Sequence, residues 1–413
     1  MTIDARLFPR LLVRPEIAFA LIWGLVFALY SWDIVDFFPP AQWPVLLMVG
    51  GSLVIALAFA LLWGHLARTW PAHDPATVLP DSIRMRSMVY ALLALWLAGF
   101  AFIVIRSDGV PFYWYLADIP RTYVEYGVPT FSGAWNTLRV VIAILAVFCL
   151  MQRPRFDWAM IAVVGFLTFT VALEVNRGGL VLFALNVVAA GILAAPTLRR
   201  QLIWALAIMA IVLGGISVMG GVRANTAQLA AEVEGGFAPE GGEPATGLRL
   251  AVSRSQVGAW AYLYLTTPVA NLHNAAIGTL SPPPYPGFHT LYPMLPSIIR
   301  PDLPSEQRYP LPLLQPGYTM TTGYGPFVVD FGFVGASIAM GLQLAVGGLI
   351  FVLSRRYLWA LILAPMFFAT QALSFFTNYF FTLLMPFHAA LAIALALLLV
   401  HGRAVGYKLR AAS

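Results

Sequence analysis

Ten apolar runs, each about as long as a bilayer crossing, are separated by short polar connections in this sequence. They lie at roughly 15–31, 44–63, 87–105, 135–151, 157–174, 179–196, 202–219, 326–353, 357–376 and 379–400. A helix in hydrocarbon satisfies its own backbone hydrogen bonds, so about 20 apolar residues suffice to cross. Of the 413 residues, 60% are hydrophobic and only 10% are charged, against about a quarter charged in soluble domains. A soluble globular domain, a disordered chain and a coiled coil are excluded. The expected fold class is an all-α polytopic membrane protein of about ten transmembrane helices with one large extracytoplasmic loop.

The positive-inside rule orients the spans. Starting inside, the cytoplasmic segments hold 15 of the 24 Arg and Lys residues, among them Arg84, Arg86, Arg199, Arg200, Arg355, Arg356 and Lys408. Of the 18 acidic residues, 13 lean to the other side, including Asp118, Glu174 and Asp330. Both termini are therefore expected in the cytoplasm. The net charge of +6 reads as a topology signal, not as a nucleic-acid footprint. The first apolar run has no small-residue cleavage site and is expected to remain as the first span. The single Cys149 permits no intramolecular disulfide.

The organisation expected is residues 1–219 as spans one to seven, 220–325 as a large outer loop, and 326–413 as spans eight to ten with a basic tail. A second outer segment, 106–134, is too polar to span and is rich in Trp and Tyr, as interfacial segments are. In the large loop, EVEGGFAPEGGEPATG reads as a linker. Residues 246–279 read as an amphipathic helix and a second short helix, broken near Thr266-Thr267-Pro268. Residues 282–316 hold 11 Pro in 35 and are expected to be irregular and extended.

The connections assigned to the cytoplasm are too short for a nucleotide-binding domain, and the sequence has no phosphate-loop motif. Any chemistry is then expected outside, on a substrate already activated in the membrane, of which a lipid-linked diphosphate is the usual form. Arginine suits such a group through its planar, permanently charged fork. Arg177, in EVNRGGL, stands in a short connection where Gly178 and Gly179 allow close approach and the next helix adds positive charge at its N-terminus. Arg254 and Arg249 lie on the expected amphipathic helix, and Arg139 lies within an apolar run, where it needs a partner or water. Plainer readings are a helix-end anchor or a pairing with Glu174 for Arg177, a solvated face for Arg254, and snorkelling for Arg139. Asp330, His273 and Glu174 are the candidate general bases. Tyr264, Tyr318, Tyr324 and His289 are candidate substrate contacts, although interfacial aromatics commonly serve only as anchors. No outer loop shows a HExxH, CxxC or DxD spacing, so no bound metal and no cofactor is expected.

Three stretches carry a resemblance: NRGGL at 176–180, WAYLYLTTPVANLHNAAIG at 260–278, and TTGYGPFVVDFGFVGASIAMGL at 321–342, with its Asp-Phe-Gly-x-x-Gly signature. With the plan of many spans and one large late loop, the chain resembles the Wzy-type oligosaccharide repeat-unit polymerases of bacterial inner membranes. The resemblance implies a GT-C-like bundle and an inner-membrane location with a periplasmic active site. It also implies metal-independent, inverting glycosyl transfer between two undecaprenyl-diphosphate-linked oligosaccharides, one donor and one acceptor. A chain-length regulator and a flippase are the implied protein partners, beside membrane lipids and no nucleic acid. O-antigen ligases share this architecture and remain the alternative reading, followed by a transporter of the same lipids.

Overall fold

The computed structural model describes the chain apart from residues 1–11, 33–34, 36–37, 70–78, 81, 153–156, 196, 205, 207–255, 298, 305–306, 315–318 and 412–413. Among the described residues the protein is all-helical, without strands. The first half contains α1 (Pro15–Tyr30), α2 (Trp43–Thr69), α3 (Ser82–Arg106), α4 (Pro111–Leu116), α5 (Phe131–Gln152), α6 (Trp158–Leu173) and α7 (Arg177–Ala194). The second contains α8 (Gln256–Ile277), α9 (Phe288–Leu291), α10 (Gly325–Leu353), α11 (Leu358–Ala372) and α12 (Leu384–Ala411).

Four described stretches are long and apolar enough to cross a membrane: Trp43–Leu66, Ser82–Leu116, Phe131–Gln152 and Gly325–Leu353. Helices α1, α6, α7, α11 and α12 contribute shorter apolar runs. The run expected at 202–219 lies almost wholly outside the described residues, as do the Gly-rich linker, Arg249, Arg254 and Tyr318.

Helix α5 is the axis of the bundle. Its apolar window is 83% buried, against 22% for the still more apolar stretch beginning at Ser82. Helices α2 and α10 run parallel and close: a Cβ on Gly51 would meet the Ser337 hydroxyl, and one on Gly341 would meet Ile55. Small residues of this kind let membrane helices approach. Ser52 Oγ donates to the Ser337 carbonyl at 3.0 Å, and Trp63 Nε1 to the Ala345 carbonyl at 2.9 Å. Helix α11 runs antiparallel to α10, with Gly347 against Phe367 near one end and Gly323, just before α10, against Ser374 near the other.

Two ion pairs mark the opposite ends of α6. Asp157, which caps its start, pairs with Arg86 at 3.5 Å, and Glu174, just past its end, pairs with Arg139 at 2.7 Å. The Glu174 end is also where the 106–130 segment folds. There Arg121 donates to the Ser107 carbonyl at 3.1 Å, pairs with Asp108 and lies over the Trp114 ring. Thr130 ties this segment to the proline-rich loop through Ser297, at 2.8 Å between hydroxyls.

Four local expectations change. Residues Gln256–Ile277 form one helix through Pro268, not two broken at Thr266-Thr267-Pro268. Packing against α1 and α2 offsets the hydrogen bond the proline removes, and Thr266 Oγ1 donates back to the Tyr262 carbonyl at 2.7 Å. Helix α10 is kinked at Gly332, whose φ of 68° and ψ of 178° suit glycine alone. Residues 373–383, expected to be the end of one span and the start of the next, lie in turns and a bridge, so α12 begins only at Leu384. The proline-rich 282–316 segment contains two short helical turns, α9 and Tyr292–Met294. It is pinned by Arg300, which donates to the carbonyls of Pro293 and Leu295 and covers the Tyr292 ring.

Candidate functional site

A small cleft of ≈ 90 Å³ lies at the Glu174 end of the bundle. Helix α3 supplies Trp96, Phe100 and Ile103 to one wall, and α5 supplies Ser132, Trp135 and Asn136 to another. Tyr123 and Tyr126 line it from the 106–134 segment, and Glu174 and Asn176 from the α6–α7 corner. The apolar wall is tightly built. Trp96 and Phe100 stack at 4.9 Å, Phe131 and Trp135 at 4.3 Å, and Trp135 Nε1 donates to the Trp96 carbonyl at 2.9 Å. Gly99 makes room for Trp135: any Cβ there would overlap the indole ring.

Arg139, 4% exposed, is bonded to two residues that line this cleft. Its Nη1 donates to Glu174 Oε1 at 2.7 Å and its Nη2 to Glu174 Oε2 at 3.2 Å. Nη2 also donates to Asn136 Oδ1 at 2.9 Å. A charge at this depth requires such a partner. Glu174 thus has a partner in Arg139, reached across the α5–α6 interface. Val175, between Glu174 and Asn176, has φ 52°. A β-branched residue in the left-handed region is strained, and here the strain turns the chain between two residues that line the cleft.

Asn176 caps α7 by accepting the Gly179 N–H at 3.0 Å, which makes Arg177 the first residue of that helix. Gly178 is in close quarters, since a Cβ would meet the Tyr379 hydroxyl. Helix α7 thus starts one residue after Asn176, which lines the cleft, and a helix start carries partial positive charge.

Other expected site residues are built into the scaffold. Both carboxylate oxygens of Asp330 are engaged: Oδ1 accepts the His289 N–H at 3.0 Å, and Oδ2 accepts the Thr290 N–H at 2.8 Å and the Thr290 hydroxyl at 2.9 Å. Asp330 thereby clamps the proline-rich loop to α10 just before the Gly332 kink. His273 is fully buried, stacks on Tyr30 at 4.8 Å and accepts the Gln42 N–H at Nδ1, at 2.9 Å. Tyr324 is fully buried, donates to Ser52 Oγ at 2.7 Å and packs edge-on to Trp23, so no face is open to a sugar. Tyr264 stacks on Phe376 at 4.6 Å. His289 is half-buried, and burial lowers its pKa more than neighbouring Asp330 raises it.

Thus Glu174 lines the cleft, with Arg139 paired to it and Arg177 close by in sequence, whereas Asp330, His273, His289, Tyr264 and Tyr324 are not among the residues that line it. Sequence reasoning missed Tyr126, Asn136, Trp96 and Trp135. Among the described residues no three His, Cys, Asp or Glu side chains gather as a metal-holding group. Comparison of the chain with protein-family models, with curated proteins and with solved structures finds no match.

Proposed function

We propose that the chain is a membrane glycosyltransferase that joins undecaprenyl-diphosphate-linked oligosaccharide repeat units at the outer face of a bacterial inner membrane. The reading takes ten spans, both termini cytoplasmic, and the cleft end outside. The observation that carries it is the juxtaposition at one end of an apolar helical bundle: an aromatic and polar cleft, Glu174 in its wall with buried Arg139 paired to it, and the start of α7, of which Arg177 is the first residue. That layout suits a lipid-borne substrate whose sugars lie at the interface. The parallel run of α2 and α10, and the shared end of Arg139 and Glu174, agree with the assigned span directions.

In this scheme a hydroxyl of the acceptor's sugar attacks the donor's anomeric carbon. The bond from that carbon to the diphosphate oxygen breaks, and polyprenyl diphosphate leaves with the electron pair. Direct displacement inverts the anomeric centre. Of the three candidate bases only Glu174 lines the cleft; to take the hydroxyl's proton it must release one of its two bonds to Arg139. The N-terminus of α7 and Arg177 are assigned the negative charge that grows on the leaving group.

The test is the lipid-linked product profile of a deletion strain. Single repeat units should accumulate, and the wild-type chain should restore the ladder of polymer lengths. Full polymer that never reaches its final acceptor would mean ligase, and an unchanged profile would remove both readings.

A further inference from the structure

The cleft is shut in this structure. At ≈ 90 Å³ it falls well short of the about 300 Å³ at which small-molecule sites begin. Trp96 in its wall is 1% exposed, and the Tyr126 hydroxyl is buried with no hydrogen-bond partner. The shut state also carries backbone strain on two sides. Thr130 has φ 63° and Val175 φ 52°, left-handed values that are costly for β-branched residues. Thr130 stands between Tyr126 and Ser132, and Val175 between Glu174 and Asn176, all four of which line the cleft. Strained residues and an orphaned hydroxyl persist only where surrounding contacts hold them in place.

Residues 288–297 supply such contacts. At one end Asp330 accepts the His289 N–H at 3.0 Å, the Thr290 N–H at 2.8 Å and the Thr290 hydroxyl at 2.9 Å, which fastens the segment to α10 just before the Gly332 kink. At the other end Ser297 donates its N–H to Thr130 Oγ1 at 2.9 Å, and its hydroxyl lies 2.8 Å from the same oxygen. Between these ends the segment is stiff. Helix α9 runs straight into the Tyr292–Met294 turn, and Arg300 bonds the carbonyls of Pro293 and Leu295. Phe131, next to Thr130, stacks on Trp135 and meets Phe102 of α3 edge-on at 5.4 Å. A shift at Thr130 is therefore felt in the α3 wall and the α5 wall together.

We infer that residues 288–297 are a strap that holds the cleft shut, fastened to α10 at Asp330 and latched at Thr130, and that release of the latch lets residues 123–130 move away from α3 so that the cleft widens. Opening relaxes Thr130 and gives the Tyr126 hydroxyl water as a partner, and these gains offset part of the bonding lost. The latch rests on this geometry alone; its use in admitting a sugar rests on the proposed function.

The test is thiol labelling of the full chain in detergent, well below its unfolding temperature. Ile103→Cys places a reporter in the cleft wall, and native Cys149, fully buried in α5, reports any wider loosening. Labelling by N-ethylmaleimide is followed at each site by mass spectrometry. Three variants are compared on this background. Thr130→Val keeps the side chain's shape and removes the latch oxygen, Ser297→Ala is a milder cut at the same latch, and Asp330→Ala frees the far end. Thr130→Val and Asp330→Ala should each speed labelling at position 103 about 5- to 10-fold, with Cys149 unchanged. Ser297→Ala should give a smaller change in the same direction, and combining Thr130→Val with Asp330→Ala should add little to either, because both cut one strap. Unchanged labelling at position 103 in Thr130→Val, an effect of Thr130→Val with none from Asp330→Ala, or equal acceleration at Cys149 would each overturn the strap. Labelling does not depend on polymer formation, so the two readings fail separately. A latch that behaves as expected in a protein whose deletion leaves polysaccharide unchanged stands without the glycosyltransferase, and labelling indifferent to the strap in a protein that makes polymer removes the strap alone.

Discussion

Arg139 on α5 and Glu174 at the end of α6 face each other through two nearly parallel N–H···O bonds, at 2.7 and 3.2 Å, across 35 residues of sequence. Fork-to-carboxylate geometry of this kind is specific as well as strong. Removing one partner strands the other charge in a buried setting, at a cost of about 3–5 kcal/mol. Glu174→Ala should therefore lower the thermal unfolding midpoint of the detergent-solubilised protein sharply. The double variant Arg139→Met, Glu174→Leu should recover most of that loss while remaining inactive. A double variant no more stable than the single would mean that the pair's neighbours, not its charges, hold this end together.

Gly99 tests the cleft wall without touching a polar group. A Cβ there would lie 1.9 Å from Trp135 Cε2. Gly99→Ala must push the indole away and break its 2.9 Å bond to the Trp96 carbonyl. Overpacking of this sort destabilises by about 1–3 kcal/mol. The expected result is a folded protein that makes little polymer. Normal ladders from this variant would show that Trp135 is dispensable to the cleft.

The Asp330 clamp gives a pH-dependent signal. The His289 pKa lies below its ordinary value of 6.5 because burial outweighs the opposing effect of Asp330. Folding then favours the neutral imidazole, and the unfolded loop binds the proton more tightly. Stability is complete above the unfolded value and falls as pH drops below it. Hydrogen exchange at the His289 and Thr290 amides, both held by Asp330, should quicken as pH falls from 7 to about 5, after correction for intrinsic exchange. His289→Gln should flatten that dependence, and Asp330→Ala should leave these amides fast at every pH. Flat protection in the wild type over this range would remove His289 from the account.

The apolar runs were readable because hydrocarbon imposes length and apolarity on whatever crosses it. Which run is central was not. The α5 window is 83% buried and the one beginning at Ser82 only 22%, yet both are apolar on all faces, because lipid and protein interior select the same side chains. Pro268 misled for a related reason: the rule that proline breaks helices describes water-exposed helices, and α8 is held by its neighbours. The Glu174 partner was hidden because Arg177 is near in sequence while Arg139 is near only in space. Asp330 and His273 have the residue types of catalytic bases, but only the fold shows that one clamps a loop and the other is closed in by Tyr30 and Gln42. Tyr126 had no signal of its own in a segment crowded with interfacial aromatics.

Arg177 remains the sharpest functional bet, because the fold gives it the first position of α7, next to Asn176 in the cleft wall. On the proposed function, Arg177 meets the departing diphosphate with charge-assisted hydrogen bonds that strengthen as charge develops. Such bonds contribute roughly 1.5–3 kcal/mol each, and about 1.4 kcal/mol in a barrier is tenfold in rate. Arg177→Ala should slow polymer formation by about ten- to several-hundred-fold at normal membrane abundance. Arg177→Lys should recover part of that, because it keeps the charge and loses the fork. A helix anchor would behave differently: its loss would lower abundance and leave the rate per molecule unchanged. The ladder of polymer lengths, normalised to the amount of each variant in the membrane, separates the two, and a full ladder from Arg177→Ala would return Arg177 to the role of an anchor.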